Sequence, residues 1–320
     1  MAYVGKSVHR IDAVAKVTGE AAYPGDINMP DQAYMKVLFA NRPHAVVRSI
    51  DFIEAKKIPG VLLILTAKDV PVNEYGLIMP DQPVLCGPGS NKPYADRVRF
   101  VGDQVAVIIA ETEEIAAKAR DAINVYYEDL PIIADPVAAI DDYENLVHPD
   151  RESNVLLQYR IRKGEVEKAF LKADVIIEDT YITPVQEHAY LQPEAGVAYI
   201  DEEDRITVMV GGQWTHEDRE QIAHALALPE DRVRVIYPAI GGAFGGREDM
   251  SVQIILALAV LKLKEAGIYH PVKIVWSREE SIIGHHKRHP YHIWAKWGAT
   301  KDGKIIAAEI KLIADAGAYA

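Results

Sequence analysis

A glycine-rich segment, residues 241–248, carries the greatest potential for chemistry in this chain. It reads Gly-Gly-Ala-Phe-Gly-Gly-Arg-Glu and follows a β-branched run, 232–237. Glycine lets the backbone approach a ligand closely and adopt positive φ. Because a long apolar helix is predicted over about 250–263, the segment would also present free N–H groups at the positive end of a helix dipole. We therefore expect it to bind an anionic group.

The spacing of these glycines excludes two common nucleotide-binding loops. No Lys-Ser or Lys-Thr pair follows Gly246, as a phosphate-binding loop of the Walker type requires. The order Gly-Gly-x-x-Gly-Gly also differs from the Gly-x-Gly-x-x-Gly fingerprint of dinucleotide-binding folds. The expected anionic group is therefore of another kind.

A second segment of the same type lies upstream, Gly211-Gly-Gln-Trp-Thr215, after a strand predicted over 205–210. Thr215 is predicted to cap a helix over about 216–228, with Asp218 completing a capping box. In α/β units, ligands gather at the carboxyl ends of strands. We therefore expect the two loops to meet on one cofactor; the alternative is that both are only tight turns.

Four segments resemble the molybdenum hydroxylases, the xanthine dehydrogenase and aldehyde oxidase family. Residues 241–248 resemble the family's Gly-Gly-x-Phe-Gly-Gly-Lys-Glu element, and 212–216 resemble its glutamine loop. Residues 186–196 are similar to its Gln-Glu-His-x-Tyr segment, and 4–19 resemble the start of its molybdenum-binding subunit. Together these motifs cover essentially the whole chain in order.

The resemblance implies a fold, a function and a cofactor. The fold is α+β, with an N-terminal α/β hammerhead domain over 1–130, a linker over 131–165 and the first part of a molybdopterin-binding α+β domain over 166–320. The function is that of a molybdenum subunit that oxidises a purine or another N-heterocycle with oxygen derived from water. The metal is held through a pyranopterin, as molybdopterin or its dinucleotide form. Electrons pass to 2Fe-2S and FAD groups on partner chains.

Two sets of site residues follow from the resemblance. Cofactor contacts are expected from the two loops: Gly212, Gln213, Ala243, Phe244, Gly245 and Gly246. Substrate contacts are expected from Phe244, Arg247 and Glu248, and a carboxylate at the last position favours a purine or another N-heterocycle. The alternatives are a solvent-facing Gln213, a core Phe244 and a Glu248 that only stabilises a helix N-terminus.

The family's catalytic base, a glutamate in a Gly-x-Gly-Glu segment, has no counterpart in this sequence. No residue of this chain is therefore expected to be catalytic, and the chain is predicted to be a fragment or one half of a split subunit. Oxidation of an aldehyde or an aromatic thioester by the same family is an alternative, with carbon monoxide the weakest. A non-catalytic half-subunit for cofactor binding or assembly is another.

A histidine-rich run at 285–292 contains four histidines in eight residues. Such a run could bind zinc or nickel, but no cysteine or carboxylate is interleaved with the histidines. We therefore expect no metal bound directly by side chains there. His188, in the Gln-Glu-His segment, is not expected to be a ligand either, because the resemblance implies that the pterin holds the molybdenum.

Composition limits the possible partners. The net charge is −12, with 47 acidic against 35 basic residues, which argues against a nucleic-acid surface. The single cysteine, Cys86, excludes an internal disulfide or a cysteine-ligated iron–sulfur cluster within this chain.

The longest apolar run, 254–261, is too short to cross a membrane, and no signal peptide is evident. We expect a cytoplasmic protein whose partners are the rest of the molybdenum subunit, the 2Fe-2S and FAD subunits, and a small-molecule substrate.

Periodicity predicts the elements that position these loops. In the N-terminal part, strands are expected at 35–40, 61–66, 104–110 and 125–128, with a helix capped by Thr112. In the C-terminal part, strands are expected at 175–182, 196–200 and 272–276. A hairpin with an Asp-Gly turn is expected to join 293–297 to 305–313.

Overall fold

A computed structural model describes residues 3–320; the first two residues of the predicted 1–130 unit lie outside the described part. Its strands are β1 (Ala33–Phe39), β2 (Ala45–Asp51), β3 (Val61–Thr66), β4 (Arg97–Val98), β5 (Gln104–Ala110), β6 (Asn124–Asp129), β7 (Val175–Thr183), β8 (Ala195–Ile200), β9 (Ile206–Val210), β10 (Val233–Ile236), β11 (Val272–Val275), β12 (Tyr291–Ala299) and β13 (Ile305–Ala314). Its helices are α1 (Ala13–Thr18), α2 (Ile53–Lys56), α3 (Glu113–Asp121), α4 (Pro136–Ala139), α5 (Val166–Phe170), α6 (Thr215–Ala225), α7 (Gln253–Glu265) and α8 (Arg278–Gly284).

A seven-stranded sheet forms the centre of the molecule, in the order β10-β9-β8-β11-β1-β5-β3. It combines strands from both halves of the chain, because β1 pairs in parallel with β11 through Ala33 and Val272. The two halves therefore share one hydrophobic core, and the domain boundary near residue 130 stays a prediction.

The most apolar segments of the sequence lie in this core. β5 has no exposed residue, as its nearly continuous apolar run predicts. α7 is apolar on nearly all sides and is almost completely buried, since it packs on β8, β9 and β11. Leu256 and Leu258 near its middle are fully inaccessible to solvent. This helix and the sheet form the support on which the glycine loops rest.

Two three-stranded sheets complete the fold, in the orders β4-β2-β6 and β13-β12-β7. In the second, β12 is the central strand and pairs antiparallel with both neighbours. The predicted hairpin turn between β12 and β13 is present: the Thr300 N–H donates to the Lys304 carbonyl at 3.0 Å, and Gly303 has φ +85°. Most residues of β7 and β13 are exposed.

Several elements agree with the sequence prediction, and others differ for physical reasons. β3 and β5 have the predicted bounds, and the Thr112 side chain caps α3 by accepting from the Ile115 N–H. β2 was not predicted, because Arg48, Ser49 and Asp51 interrupt its apolar pattern. No helix among residues 3–320 combines the length and apolar character that crossing a bilayer requires.

Candidate functional site

The two glycine loops lie side by side at one edge of the central sheet. β9 and β10 are parallel neighbours, with Ile206 opposite Val233, so their carboxyl ends point in the same direction. The Gln213 Nε2 donates to the Glu248 Oε1 at 3.4 Å, which joins the first loop to the end of the second. The two loops are therefore neighbours, and their meeting on one cofactor stays a prediction.

The second loop directs Phe244 outward. Gly242 and Gly245 have φ of +110° and +87°, a conformation that favours glycine. Phe244 between them also has a positive φ, +52°, which is unfavourable for a bulky residue and is typical of functional loops. Its side chain is 76% exposed, so Phe244 is not a core residue. Ala243 is half-buried, and its carbonyl accepts from the Gly246 N–H at 2.8 Å.

Two glycines are required by packing against the protein itself. A Cβ on Gly212 would overlap the Tyr237 ring. A Cβ on Gly246 would lie 2.8 Å from His285 and 2.9 Å from Tyr190. Since such contacts are closer than carbon atoms tolerate, these glycines let each loop lie directly on the body of the protein. Their role therefore includes loop packing as well as the expected approach to a cofactor.

Arg247 is committed to contacts within the protein. Its side chain is 4% exposed, and its guanidinium lies over the Tyr190 ring at 4.2 Å. It donates to the Gly242 carbonyl at 3.0 Å and to the Gln192 carbonyl at 2.6 Å. Burial lowers the pKa of the guanidinium. The structure gives Arg247 a role in holding the loop, which differs from the substrate contact expected from the sequence.

Gln192 connects both loops and was not singled out from the sequence. Its Oε1 accepts from the Gly241 N–H at 2.8 Å. Its Nε2 lies beside the first loop, since a Cβ on Gly211 would be 3.2 Å away. This Nε2 is buried and has no hydrogen-bond partner within residues 3–320. The only sequence signal for Gln192 was its place in the 186–196 segment that resembles the family. No local pattern predicts that this segment lies beside the two glycine loops.

The predicted capping box at α6 is wrong. Thr215 is the first helical residue, Trp214 occupies the N-cap position, and no side chain caps the helix there. Asp218 is instead buried, where it accepts from the Tyr237 hydroxyl at 2.6 Å and from the Gln253 Nε2 at 3.2 Å. Burial raises its pKa to about 6. Tertiary hydrogen bonds thus replace the local cap that the sequence suggested.

The expected helix-dipole contribution from α7 also needs correction. The helix begins at Gln253 and so does not follow the last glycine directly. The Gln253 Oε1 already accepts from the N–H groups of Ser251 and Val252, at 2.7 and 2.9 Å. The amides just before α7 are therefore used within the protein, and binding by the second loop depends on its own backbone.

Histidines pack against the second loop. The His285 Nε2–H donates to the Gly246 carbonyl, and the His188 and His285 rings meet edge to face at 5.4 Å. Burial lowers the His285 pKa to about 2, so the ring is neutral. Glu187, His188 and His285 offer ligand atoms within 4.8 Å of one another. However, the Lys287 ammonium lies 2.7 Å from the Glu187 carboxylate and already neutralises its charge.

Two clefts of the molecule lie away from these loops. One, of about 700 Å³, is bordered by residues 28–34 and 111–114. The other, of about 50 Å³, lies between residues 147–156 and 316–320. Neither combines a glycine loop with convergent donors, so the glycine-loop edge remains the candidate site although it is an open surface.

Two family profiles match the chain. The profile described as "Molybdopterin cofactor-binding domain" matches residues 147–320. The profile described as "Aldehyde oxidase and xanthine dehydrogenase, a/b hammerhead domain" matches residues 18–131. The chain belongs to this molybdenum hydroxylase family. Its α+β fold of a hammerhead part followed by a molybdopterin-binding part is thereby confirmed.

Relatives and solved structures agree with this assignment. The chain is 40% identical over 312 residues to a probable xanthine dehydrogenase subunit of Bacillus subtilis, a match that covers 97% of this chain and 40% of that protein. It is 38% identical over 318 residues to the nicotinate dehydrogenase large molybdopterin subunit of Eubacterium barkeri, covering 99% and 71%. The aldehyde oxidoreductase of Desulfovibrio gigas superposes with a TM-score of 0.84 at 26% identity, covering 96% of this chain and 34% of that one. The chain thus spans only part of these relatives.

The loop residues fit the molybdenum–pterin group that this family binds. Such a group is rich in oxygen and anionic, so it needs hydrogen-bond donors. Within residues 3–320, the N–H groups of Phe244 and Gly245 donate to no protein atom, and the Gln192 Nε2 has no partner. The exposed Gln213 amide adds another donor at the same edge. These donors match the chemistry of the group.

Proposed function

We propose that this chain is the N-terminal part of the molybdenum-binding subunit of a xanthine dehydrogenase-like hydroxylase. Its hammerhead domain covers 1–130, followed by a linker over 131–165 and the first part of the molybdopterin-binding domain over 166–320. The assembled enzyme oxidises a purine or another N-heterocycle. The observation that supports this most is the contact between Gln213 and Glu248, which brings both glycine loops to one edge.

The bound molybdenum–pterin group, as molybdopterin or its dinucleotide, supplies the two-electron oxidation of the substrate. In this chain, the Gln213 amide and the N–H groups of Phe244 and Gly245 would hold oxygen atoms of that group. Gly212, Ala243 and Gly246 shape the loops that carry these donors. Phe244, exposed beside them, would form a wall for a planar substrate.

Glu248 supports the choice of an N-heterocycle. Its carboxylate is half-buried beside Gln213, at the edge where a substrate would meet the cofactor. A carboxylate accepts hydrogen bonds from ring N–H groups, which an aldehyde does not offer. The names of two relatives refer to nitrogen heterocycles, xanthine and nicotinate. Xanthine offers ring N–H groups to such a carboxylate, whereas the ring nitrogen of nicotinate is an acceptor only.

Electrons would leave through 2Fe-2S and FAD groups on partner subunits, in a heteromeric cytoplasmic complex. The catalytic base would come from the part of the subunit that lies outside the matched region in longer relatives. A non-catalytic half-subunit for cofactor binding or assembly is the second candidate function.

The test uses the assembled enzyme, purified after co-expression with its companion polypeptides. We expect molybdenum and pterin in the complex, and turnover of xanthine or nicotinate in preference to benzaldehyde. Glu248→Gln should lower kcat/KM for xanthine about 10- to 100-fold, since a hydrogen bond to a charged group contributes about 1.5–3 kcal/mol. Molybdenum content should stay unchanged.

Glu217→Gln, at an exposed glutamate in the first turn of α6, is the matched control and should leave kcat/KM unaltered. A complex that contains no molybdenum would support the non-catalytic alternative. Faster turnover of benzaldehyde than of either heterocycle, unaffected by Glu248→Gln, would support the aldehyde alternative.

A further inference from the structure

Residues 190–192 form a short segment, here named the wedge, that contacts both glycine loops. Arginine side chains hold all three of its backbone carbonyls. Arg278 Nη2 donates to the carbonyls of Tyr190 and Leu191 at 2.7 and 2.9 Å. Arg247 Nη2 donates to the carbonyl of Gln192 at 2.6 Å. Because both guanidinium groups are at least half-buried, these charge-assisted hydrogen bonds restrict the backbone of the wedge.

The wedge is also anchored to the central sheet. Tyr190 is buried, and its hydroxyl donates to the Glu194 carboxylate. The Glu194 carbonyl accepts from the N–H of the buried Trp276 at 2.9 Å, directly before β8 begins. The wedge is therefore fixed to the same core that supports the glycine loops.

The Gln192 side chain extends this anchoring to both loops. The Gln192 N–H donates to the Gly241 carbonyl at 3.4 Å, and the Gln192 Oε1 accepts from the Gly241 N–H at 2.8 Å. Towards the other loop, the Gln192 Nε2 and the Arg247 Nη1 lie 3.2 and 3.3 Å from the position that a Cβ would take on Gly211. One side chain thus contacts the first residue of each loop.

The donors expected to hold the cofactor lie just beyond these two contacts. Gln213 follows Gly211 closely in the first loop, and Phe244 follows Gly241 in the second. Glycine-rich backbone has many accessible conformations, so donors on it keep their geometry only when supporting residues fix the loops. A shift of either loop would change the distance between the two sets of donors.

We propose that Gln192 is a positioning residue that sets the separation of the two glycine loops. It thereby fits the Gln213 amide and the N–H groups of Phe244 and Gly245 to the oxygen-rich cofactor, so this inference rests on the proposed function. Gln192 acts through its side-chain oxygen, because the Gly241 N–H has no other acceptor within residues 3–320. Removal of that acceptor releases the start of the second loop from the wedge.

Two substitutions separate this role from simple space filling. Gln192→Met nearly preserves the side-chain volume but removes the acceptor for the Gly241 N–H. Gln192→Glu keeps an oxygen acceptor there, and its second oxygen would face the Arg247 guanidinium. Gln186→Met is the matched control, because Gln186 is an exposed glutamine close by in sequence. Within the described residues, its side chain donates to the neighbouring Glu187 carbonyl alone.

The first measurement is fluorine NMR of the full chain without cofactor, labelled with fluorotryptophan or fluorophenylalanine. Trp214 reports on the first loop and Phe244 on the second, and both side chains are exposed. Gln192→Met should shift both signals. Gln192→Glu and Gln186→Met should leave both signals where the unmodified chain has them. Circular dichroism of every variant should show unchanged folding.

The second measurement follows the loss of molybdenum from the assembled enzyme during dialysis. Gln192→Met should lose the metal about 2 to 10 times faster than the unmodified enzyme, the factor that corresponds to one neutral hydrogen bond. Gln192→Glu and Gln186→Met should lose it at the unmodified rate.

The proposal is overturned if Gln192→Met leaves both fluorine signals in place or shifts the Phe244 signal alone, because Gln192 would then not position the first loop. It is also overturned if Gln192→Glu shifts both signals as much as Gln192→Met, or if Gln192→Met retains molybdenum as the unmodified enzyme does. A complex without molybdenum whose fluorine signals respond as expected would end the proposed function. The positioning of the two loops by Gln192 would then still stand.

Discussion

The two sheets that contain most of the strand residues reach stability in different ways. The seven-stranded sheet is covered by helices of this chain. Ile274 in the sheet and Leu256 of α7, which packs on it, are inaccessible to solvent. The three-stranded sheet of β7, β12 and β13 has well-paired strands, but large apolar side chains on its two faces, such as Ile177, Ile182 and Leu312, are more than half exposed. Backbone pairing alone therefore does not indicate a complete core. The chain builds the support of its glycine loops by itself, whereas its three-stranded sheet keeps large apolar side chains at the surface.

Truncation in the central core should have the largest effect and would establish one side of this contrast. Leu256→Ala removes a fully buried side chain of α7 and leaves a cavity. The expected loss of unfolding free energy is about 2–5 kcal/mol. Urea denaturation of the isolated chain measures it. A loss below about 1 kcal/mol would show that α7 is loosely packed and that the contrast between the sheets is overstated.

The pattern of the sequence accounts for most of the central core and for the position of the loops. Continuous apolar runs predict β5 and α7, and two successive strand–loop units predict that the loops meet at one edge. The pairing of β1 with β11 has no such signal, because it joins residues distant in sequence through backbone atoms. Gln192 was missed for the same reason, because its hydrogen bond to Gly241 joins residues distant in sequence. Asp218 was predicted to complete a capping box from its position in the sequence. Its carboxylate instead accepts tertiary hydrogen bonds from Tyr237 and Gln253.

Titration of Asp218 should have the next largest effect, again in the region that this chain completes. Burial raises its pKa to about 6 from the ordinary value of 3.8. The folded state then binds a proton more tightly than the unfolded state, so this contribution to stability is lost as pH rises from about 4 to about 6. From pH 4.5 to 7.5 the loss is about 2 kcal/mol.

Asp218→Asn replaces the titrating carboxyl group with an amide that does not ionise. Relative to the unmodified chain, the variant should gain about 2 kcal/mol between pH 4.5 and 7.5, as measured by urea denaturation at both values. Asp103, whose pKa is also raised to about 6 by burial, provides a comparison. Relative to the unmodified chain, Asp103→Asn should also gain stability as the pH rises. A pH-independent difference for Asp218→Asn would mean that its carboxyl group is hydrated.

Arg247→Lys tests whether the second loop is held by contacts within this chain. Lysine keeps the charge but lacks the planar fork that reaches both the Gly242 and Gln192 carbonyls and stacks on Tyr190. The expected loss is about 1–2 kcal/mol in urea denaturation, with no substrate present. Arg288→Lys, at an exposed arginine that also donates to a carbonyl, is the control and should cost less. Equal effects would remove the argument that Arg247 positions the loop.

The smallest effect in the isolated chain is the one that most sharpens the comparison. Ile177→Ala on β7 of the three-stranded sheet removes a side chain that is 60% exposed, so the unfolding free energy should change by no more than about 0.5 kcal/mol. Urea denaturation of the isolated chain measures this change beside that of Leu256→Ala. If Ile177→Ala costs as much as Leu256→Ala, the exposed side chains of the three-stranded sheet stabilise the chain as its buried core does, and the difference between the two sheets is only one of shape.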